Sequence, residues 1–178
     1  MTVSARTLHA RGYLAVTIRD RGTVPRGMQK QFNAASTKAW FDVGVYFHQH
    51  LRDKRFTEEH ARAVGYTRRK GEAIPRGTKA FRKSYTGKKF SAHGHTRPLE
   101  FTGETRRAMK TANVDAKTKG VKVKYAGARA FNFRHPKSQI RMTDEFRRLS
   151  TEEIQLLADV YDRQLDLYLN ESAGTEGG

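Results

Sequence analysis

MQKQFNAASTKAWFDVGVYFHQHLR, Met28 to Arg52, is the stretch whose reading decides the fold of this chain. Met28, Phe32, Ala35, Ala39, Val43, Phe47 and Leu51 recur at steps of three and four, and Trp40 and Tyr46 widen the stripe. That period is helical, and it gathers the apolar side chains on one face. Lys30, Asn33, Thr37, Lys38, Asp42 and Gln49 fall on the other. The spacing predicts one long amphipathic helix, which needs apolar partners to lie against.

The flanking sequence supplies them. Gly12 to Asp20 reads as a short strand, with Leu14, Val16 and Ile18 alternating with Ala15 and Thr17 before Arg21–Pro25 breaks it. Asn113–Lys117 and Gly120–Tyr125 read as a hairpin. In its second strand Val121, Val123 and Tyr125 face one side and Lys122 and Lys124 the other. Ala128 to Phe133 is a candidate extension of that sheet. Ser150-Thr151-Glu152-Glu153 has capping-box spacing, and Ile154, Leu157, Tyr161, Leu165 and Tyr168 or Leu169 form the stripe of a second helix ending near Asn170. Thr57 and Thr102 are positioned to cap two shorter helical stretches. The expected fold is α+β: a small antiparallel sheet packed under two long amphipathic helices, with residues 1–170 as one domain and 171–178 as a flexible polar tail.

Charge is distributed unevenly. Between Lys54 and Arg97 thirteen Lys or Arg stand against three Glu; from Thr143 to Gly178 three Arg stand against nine Asp or Glu. Beyond Tyr66 the basic stretch is punctuated by Gly71, Pro75, Gly77, Gly87 and Gly94 and shows no periodicity. The reading is an inserted basic arm at about 57–97 that orders only on assembly. The whole chain, 178 residues at net +17 and pI near 10.4, repels itself unless an anionic neighbour is present, and nucleic acid is the commonest such neighbour. Hydrophobic content of 37%, below the usual ~45–50%, predicts a modest core. There is no cysteine, so disulfides and thiolate metal sites are excluded. The first residues lack a signal-peptide core and no apolar run approaches the ~20 residues of a membrane span, so a soluble chain without membrane contact is expected.

Catalytic constellations are weak. His48 and His50, two apart on a helix, point to opposite sides and cannot share an ion. His93 and His95 could converge across Gly94, but a metal-dependent nuclease built on them would also need clustered carboxylates. Neither a Gly-x-Ser-x-Gly elbow nor a Walker loop is present, and the pairs Asp144-Glu145 and Glu152-Glu153 sit where helix starts favour acids. The expectation is no catalytic residue, no metal and no cofactor. Arg68, Arg69, Lys70, Arg82, Lys83, Lys88 and Lys89, interleaved with Tyr66, Phe81, Tyr85 and Phe90, are the candidates for contact with a polyanion or a partner protein. Asp159, Asp162 and Asp166 on the last helix are the candidates for contact with another subunit.

PLEFTGETRRAM (Pro98–Met109), GVKVKYAGARAFNFRH (Gly120–His135) and RMTDEFRRLSTEEIQLL (Arg141–Leu157) follow one another in an order that resembles the Mu-like phage virion morphogenesis, or tail-completion, proteins. An N-terminal strand, a long helix containing Trp40 and a basic loop precede them, as in that family. Phe101-Thr102-Gly103 stands where the family has Asp-Thr-Gly. The resemblance implies a structural virion protein of the head–tail junction, present in host cytoplasm during assembly. It implies a homo-oligomeric ring around the DNA passage that docks on other neck, tail or portal-side proteins and touches DNA without reading sequence. The rival expectation, from charge alone, is a sequence-independent nucleic-acid-binding protein outside any virion.

Overall fold

The computed structural model describes residues 14–19, 29–126, 131 and 140–174. The expected long helix is present as α1 (Gln29–Tyr46), and its last turn, Phe47–Leu51, opens into a π-helical turn closed by Arg52 N–H donating to the Phe47 carbonyl at 2.9 Å. The wider turn has a physical reason. Val43, Phe47 and Leu51 are four apart, a spacing that drifts around an α-helix, and the extra residue per turn keeps all three fully buried. A short 3₁₀ turn, Asp53–Phe56, then leads into α2 (Glu58–Ala63), which Thr57 caps by accepting from His60 N–H at 3.2 Å.

Three strands form one antiparallel sheet in the order β1-β3-β2: β1 (Leu14–Arg19), β2 (Asn113–Lys117) and β3 (Gly120–Tyr125). Val16 aligns with Val123 and Val114 with Val123 on the other side, so the central strand sets the register of both neighbours. Val121, Val123 and Tyr125 are buried while Lys122 and Lys124 are half-exposed, the alternation expected of a sheet covered on one face. On the open face Lys124 pairs with Asp115 across the strands at 2.9 Å. The expected Ala128–Phe133 extension falls, apart from Phe131, outside the described residues.

α7 (Thr151–Gly174) completes the architecture, running past Asn170 through residues expected to be tail. Its start is the predicted capping box: Ser150 Oγ accepts from Glu153 N–H at 3.2 Å, and a Glu153 carboxylate oxygen accepts from Ser150 N–H at 3.0 Å. α1 is the middle layer, with the sheet on one side and α7 on the other. Ser36 joins all three, donating to the Thr118 carbonyl of the hairpin turn at 2.7 Å and sharing a hydrogen bond with the Tyr161 hydroxyl of α7 at 2.8 Å. Trp40 lies on Tyr161 with ring centroids 4.4 Å apart. A second cluster, Phe56, Tyr125, Phe131 and Phe146, seals the end of the sheet against α6 (Met142–Arg147).

The contact of α1 with the sheet depends on Gly44. A Cβ there would stand 2.6 Å from Val114 Cγ1 and 2.7 Å from Val121 Cγ2, well inside contact distance. Gly44→Ala therefore forces α1 and the sheet apart and should cost about 1–3 kcal/mol, although alanine is the better helix former. A lowered urea midpoint checks this; an unchanged or raised midpoint would show that the interface yields freely.

Candidate functional site

The basic segment is folded onto the body of the protein, which corrects the expectation of an arm that orders only on assembly. α3 (Lys79–Lys83) and α4 (Tyr85–His93) meet at a corner where Thr78 and Ser84 cap successive helices, accepting from Phe81 N–H at 3.1 Å and Gly87 N–H at 3.0 Å. Gly87 is required at that corner, since a Cβ would lie 1.8 Å from the Phe81 carbonyl oxygen. Thr86 donates from both its amide and its hydroxyl to the Lys70 carbonyl, each at 3.1 Å, so the preceding loop is tied to α4. Caps and short turns leave no hydrophobic period, and so the helices escape a periodicity reading.

Two of the seven cations read as contact residues turn inward. Arg69 forks onto Glu145 of α6, with Nη1 2.9 Å from Oε1 and Nη2 2.5 Å from Oε2, and Thr67 N–H adds a third hydrogen bond to Oε1 at 2.9 Å. This bidentate, largely buried pair clamps the segment to the core. Lys89 is 4% exposed and donates to the Arg97 carbonyl; burial pulls its ammonium down to about 8. Arg69 and Lys89 are therefore structural cations rather than contact residues. Arg68, Lys70, Arg82, Lys83 and Lys88 are exposed. In all, nine Lys and Arg side chains between residues 62 and 97 remain exposed, against one exposed acid, Glu72. A cleft of about 620 Å³ between α2 and this segment is lined by Tyr66, Arg68, Glu72, Arg76 and Phe81, among others.

Leu99 shapes the loop that follows. Its φ of 55° is the left-handed conformation a branched residue avoids, and its buried side chain holds it there. The turn swings Glu100 toward two guanidinium groups, Arg97 at 3.4 Å and Arg106 at 3.7 Å, with the His95 ring also at 3.7 Å. It also leaves Phe101 44% exposed beside Tyr85 (ring centroids 5.9 Å apart) and His93 (4.8 Å). α5 (Glu104–Ala108) takes Gly103 as its N-cap rather than the expected Thr102, whose hydroxyl accepts only from Glu104 N–H at 3.4 Å.

The histidines are divided among different neighbours. His48 lies 3.3 Å from the Tyr125 hydroxyl and His50 packs on Tyr46, while His93 and His95 stack with centroids 6.2 Å apart. Among the described residues no three His, Cys, Asp or Glu side chains converge on a point where a metal ion could sit.

The exposed face of α7 is acidic. Asp159, Asp162 and Asp166 all lie there, with Asp159 accepting from Gln155 at 2.8 Å. Five acids and one Arg are exposed between Thr151 and Glu171. The ion pairs of Arg62, Arg69 and Arg97 go to Glu58, Glu145 and Glu100.

Sequence reading missed a buried polar centre at the start of α7. Arg55, fully buried, donates from Nη1 to both Glu153 oxygens at 2.7 and 2.8 Å, stacks over the Phe47 ring at 5.2 Å and lies 2.8 Å from His60 Nε2. Burial and the Arg55 charge push the His60 imidazolium down to about 4. Glu145 and Glu153 looked like ordinary helix-start acids, and partners 76 and 98 residues away leave no local signal.

No protein-family model, curated protein or solved structure matches the chain. Among the described residues no helix is long and apolar enough to cross a membrane.

Proposed function

We propose that this chain is a structural protein of a tailed-phage virion, acting at the head–tail junction as a homo-oligomeric ring around the DNA passage and docking on other neck, tail or portal-side proteins. The observation that carries this reading is the separation of charge on one folded body. Nine exposed cations stand on the 62–97 segment and five exposed acids on α7. Complementary patches at two places on one chain make a heterologous contact, which closes into a ring when its rotation allows. Cations left over after such pairing give a lining that attracts DNA without reading sequence. The order of motifs from Pro98 to Leu157 supports the same reading. In it the chain is not an enzyme, and the exposed cations bind rather than catalyse. Peptide mass spectrometry of purified particles tests the assignment. Low, fixed copy number per particle is the expected result, and absence from particles would overturn it.

The surplus of cations favours one alternative, a sequence-independent nucleic-acid-binding protein that works as a monomer outside any particle. It requires a tight complex with duplex DNA whose affinity falls steeply with salt while the protein stays monomeric.

A further inference from the structure

The large apolar side chains that the basic segment and the loop after it leave in water are all aromatic: Tyr85 (47% exposed), Phe90 (37%) and Phe101 (44%). Phe90 is engaged elsewhere, edge-on to Phe81 with the Arg76 guanidinium over its ring. The other two form a row. Tyr85 and Phe101 stand 5.9 Å apart with planes 30° from parallel, and His93 packs edge-on against Phe101 at 4.8 Å. His95 stacks behind His93 at 6.2 Å. The row is held before any ligand arrives. Tyr85 and His93 stand at the two ends of α4, and the left-handed turn at buried Leu99 sets Phe101 against both.

Exposed rings in mutual contact present flat faces with polar edges, and nucleobases fit such faces whatever their sequence. We propose that the Tyr85–Phe101–His93 row is a stacking platform for the unpaired bases of single-stranded nucleic acid. A duplex keeps its base faces stacked on one another, so duplex DNA meets only the cations. Charge alone would not choose this place. Arg82, Lys83 and Lys88 are exposed close by in sequence, with Lys88 one turn beyond Tyr85 on α4. Against them, the charge of Glu72 reaches Tyr85, and exposed Glu104 follows Phe101 by three residues. Arg97 is held by Glu100. The local surplus of positive charge is therefore small. The rings place the strand, and Lys88 foremost takes its phosphates. This inference goes beyond the ring reading and does not depend on it, since a strand can lie on the row in a monomer or in a ring.

Fluorescence anisotropy of a labelled oligothymidylate, with a labelled duplex in parallel, tests this on the full chain. Phe101→Ala and Tyr85→Ala should each weaken the oligothymidylate complex about tenfold and leave duplex binding unchanged. Lys88→Gln should weaken both complexes and lower their salt dependence. Phe101→Trp keeps a ring and should keep the affinity, which separates loss of the ring from loss of the fold. Because native Trp40 is fully buried, the added indole reports on the row, and oligothymidylate should quench it while duplex does not. Equal losses on both ligands after Phe101→Ala, or no loss on either, would overturn the proposal, as would a parent that does not bind oligothymidylate. If Phe101→Ala keeps that affinity and instead shifts sedimentation toward monomer, the row is a protein contact and the proposal falls. A monomeric parent that binds oligothymidylate through these rings would sink the ring reading alone.

Discussion

Glu153→Gln should destabilise the fold by about 3–5 kcal/mol, the cost of leaving a buried cation without its counter-charge. Arg55 is fully buried, and both Glu153 oxygens lie within 2.8 Å of its Nη1. Its Nε and Nη2 have no hydrogen-bond partner, so apart from the face of the Phe47 ring Glu153 alone offsets the charge. Glutamine keeps the shape and can still serve the capping box with Ser150, so the substitution isolates the charge. Replacing both residues, Arg55→Met with Glu153→Leu, should recover most of the loss, because a buried pair is expensive mainly when half of it is removed. Denaturant titration of parent, single and double variants measures all three. A cost under about 1 kcal/mol for Glu153→Gln would mean that water reaches Arg55.

Acidification should loosen the same junction. His60, buried between Arg55, Glu153 and Tyr66, has its proton affinity lowered from an ordinary 6.5 to about 4. Above pH 6.5 it is neutral in both folded and unfolded chains and contributes no pH dependence. Between 6.5 and 4 the unfolded chain takes up a proton that the folded chain refuses, so stability falls as pH falls. Below about 4 the folded chain also protonates and the loss levels off. The total is about 3 kcal/mol. His48 and His95 are shifted down by burial and act in the same direction. Asp53 and Asp115, held below the usual carboxylate range by Arg52 with Arg106 and by Lys124, contribute only at lower pH. His60→Gln should flatten the profile across this window. Equal slopes for parent and variant would rule out His60 as the titrating group.

The elements with a strong period were legible in the sequence. The stripe from Phe32 to Leu51 marks α1, Val121, Val123 and Tyr125 mark β3, and the Ser150–Glu153 box marks the start of α7, because each is written in residues close along the chain. The π-helical turn was not, since it depends on how Phe47 and Leu51 meet a core built from distant segments. The folding of the basic segment escaped for a related reason. Its helices are five to nine residues long, and what holds them down is Arg69 on Glu145, Thr86 on Lys70 and Phe81 in the interior. A run of Lys and Arg broken by Gly reads as solvated chain, and nothing local tells Arg69 and Lys89, which turn inward, from Arg68 and Lys88, which do not. The contact of Tyr85 with Phe101 was not legible among the interleaved rings, because Phe101 is brought beside Tyr85 by the left-handed turn at Leu99.

The folded chain carries a basic surface on the 62–97 segment and an acidic one on α7, where the sequence suggested a body and an inserted basic arm. A surface folded before assembly loses less entropy on association, so the proposed ring should form without any further folding step. Sedimentation velocity of the purified chain, at low and then high salt, tests this most directly. The account predicts a single closed oligomer at low salt that dissociates toward folded monomer as salt screens the contact. A protein that stays monomeric at every concentration and ionic strength would contradict it.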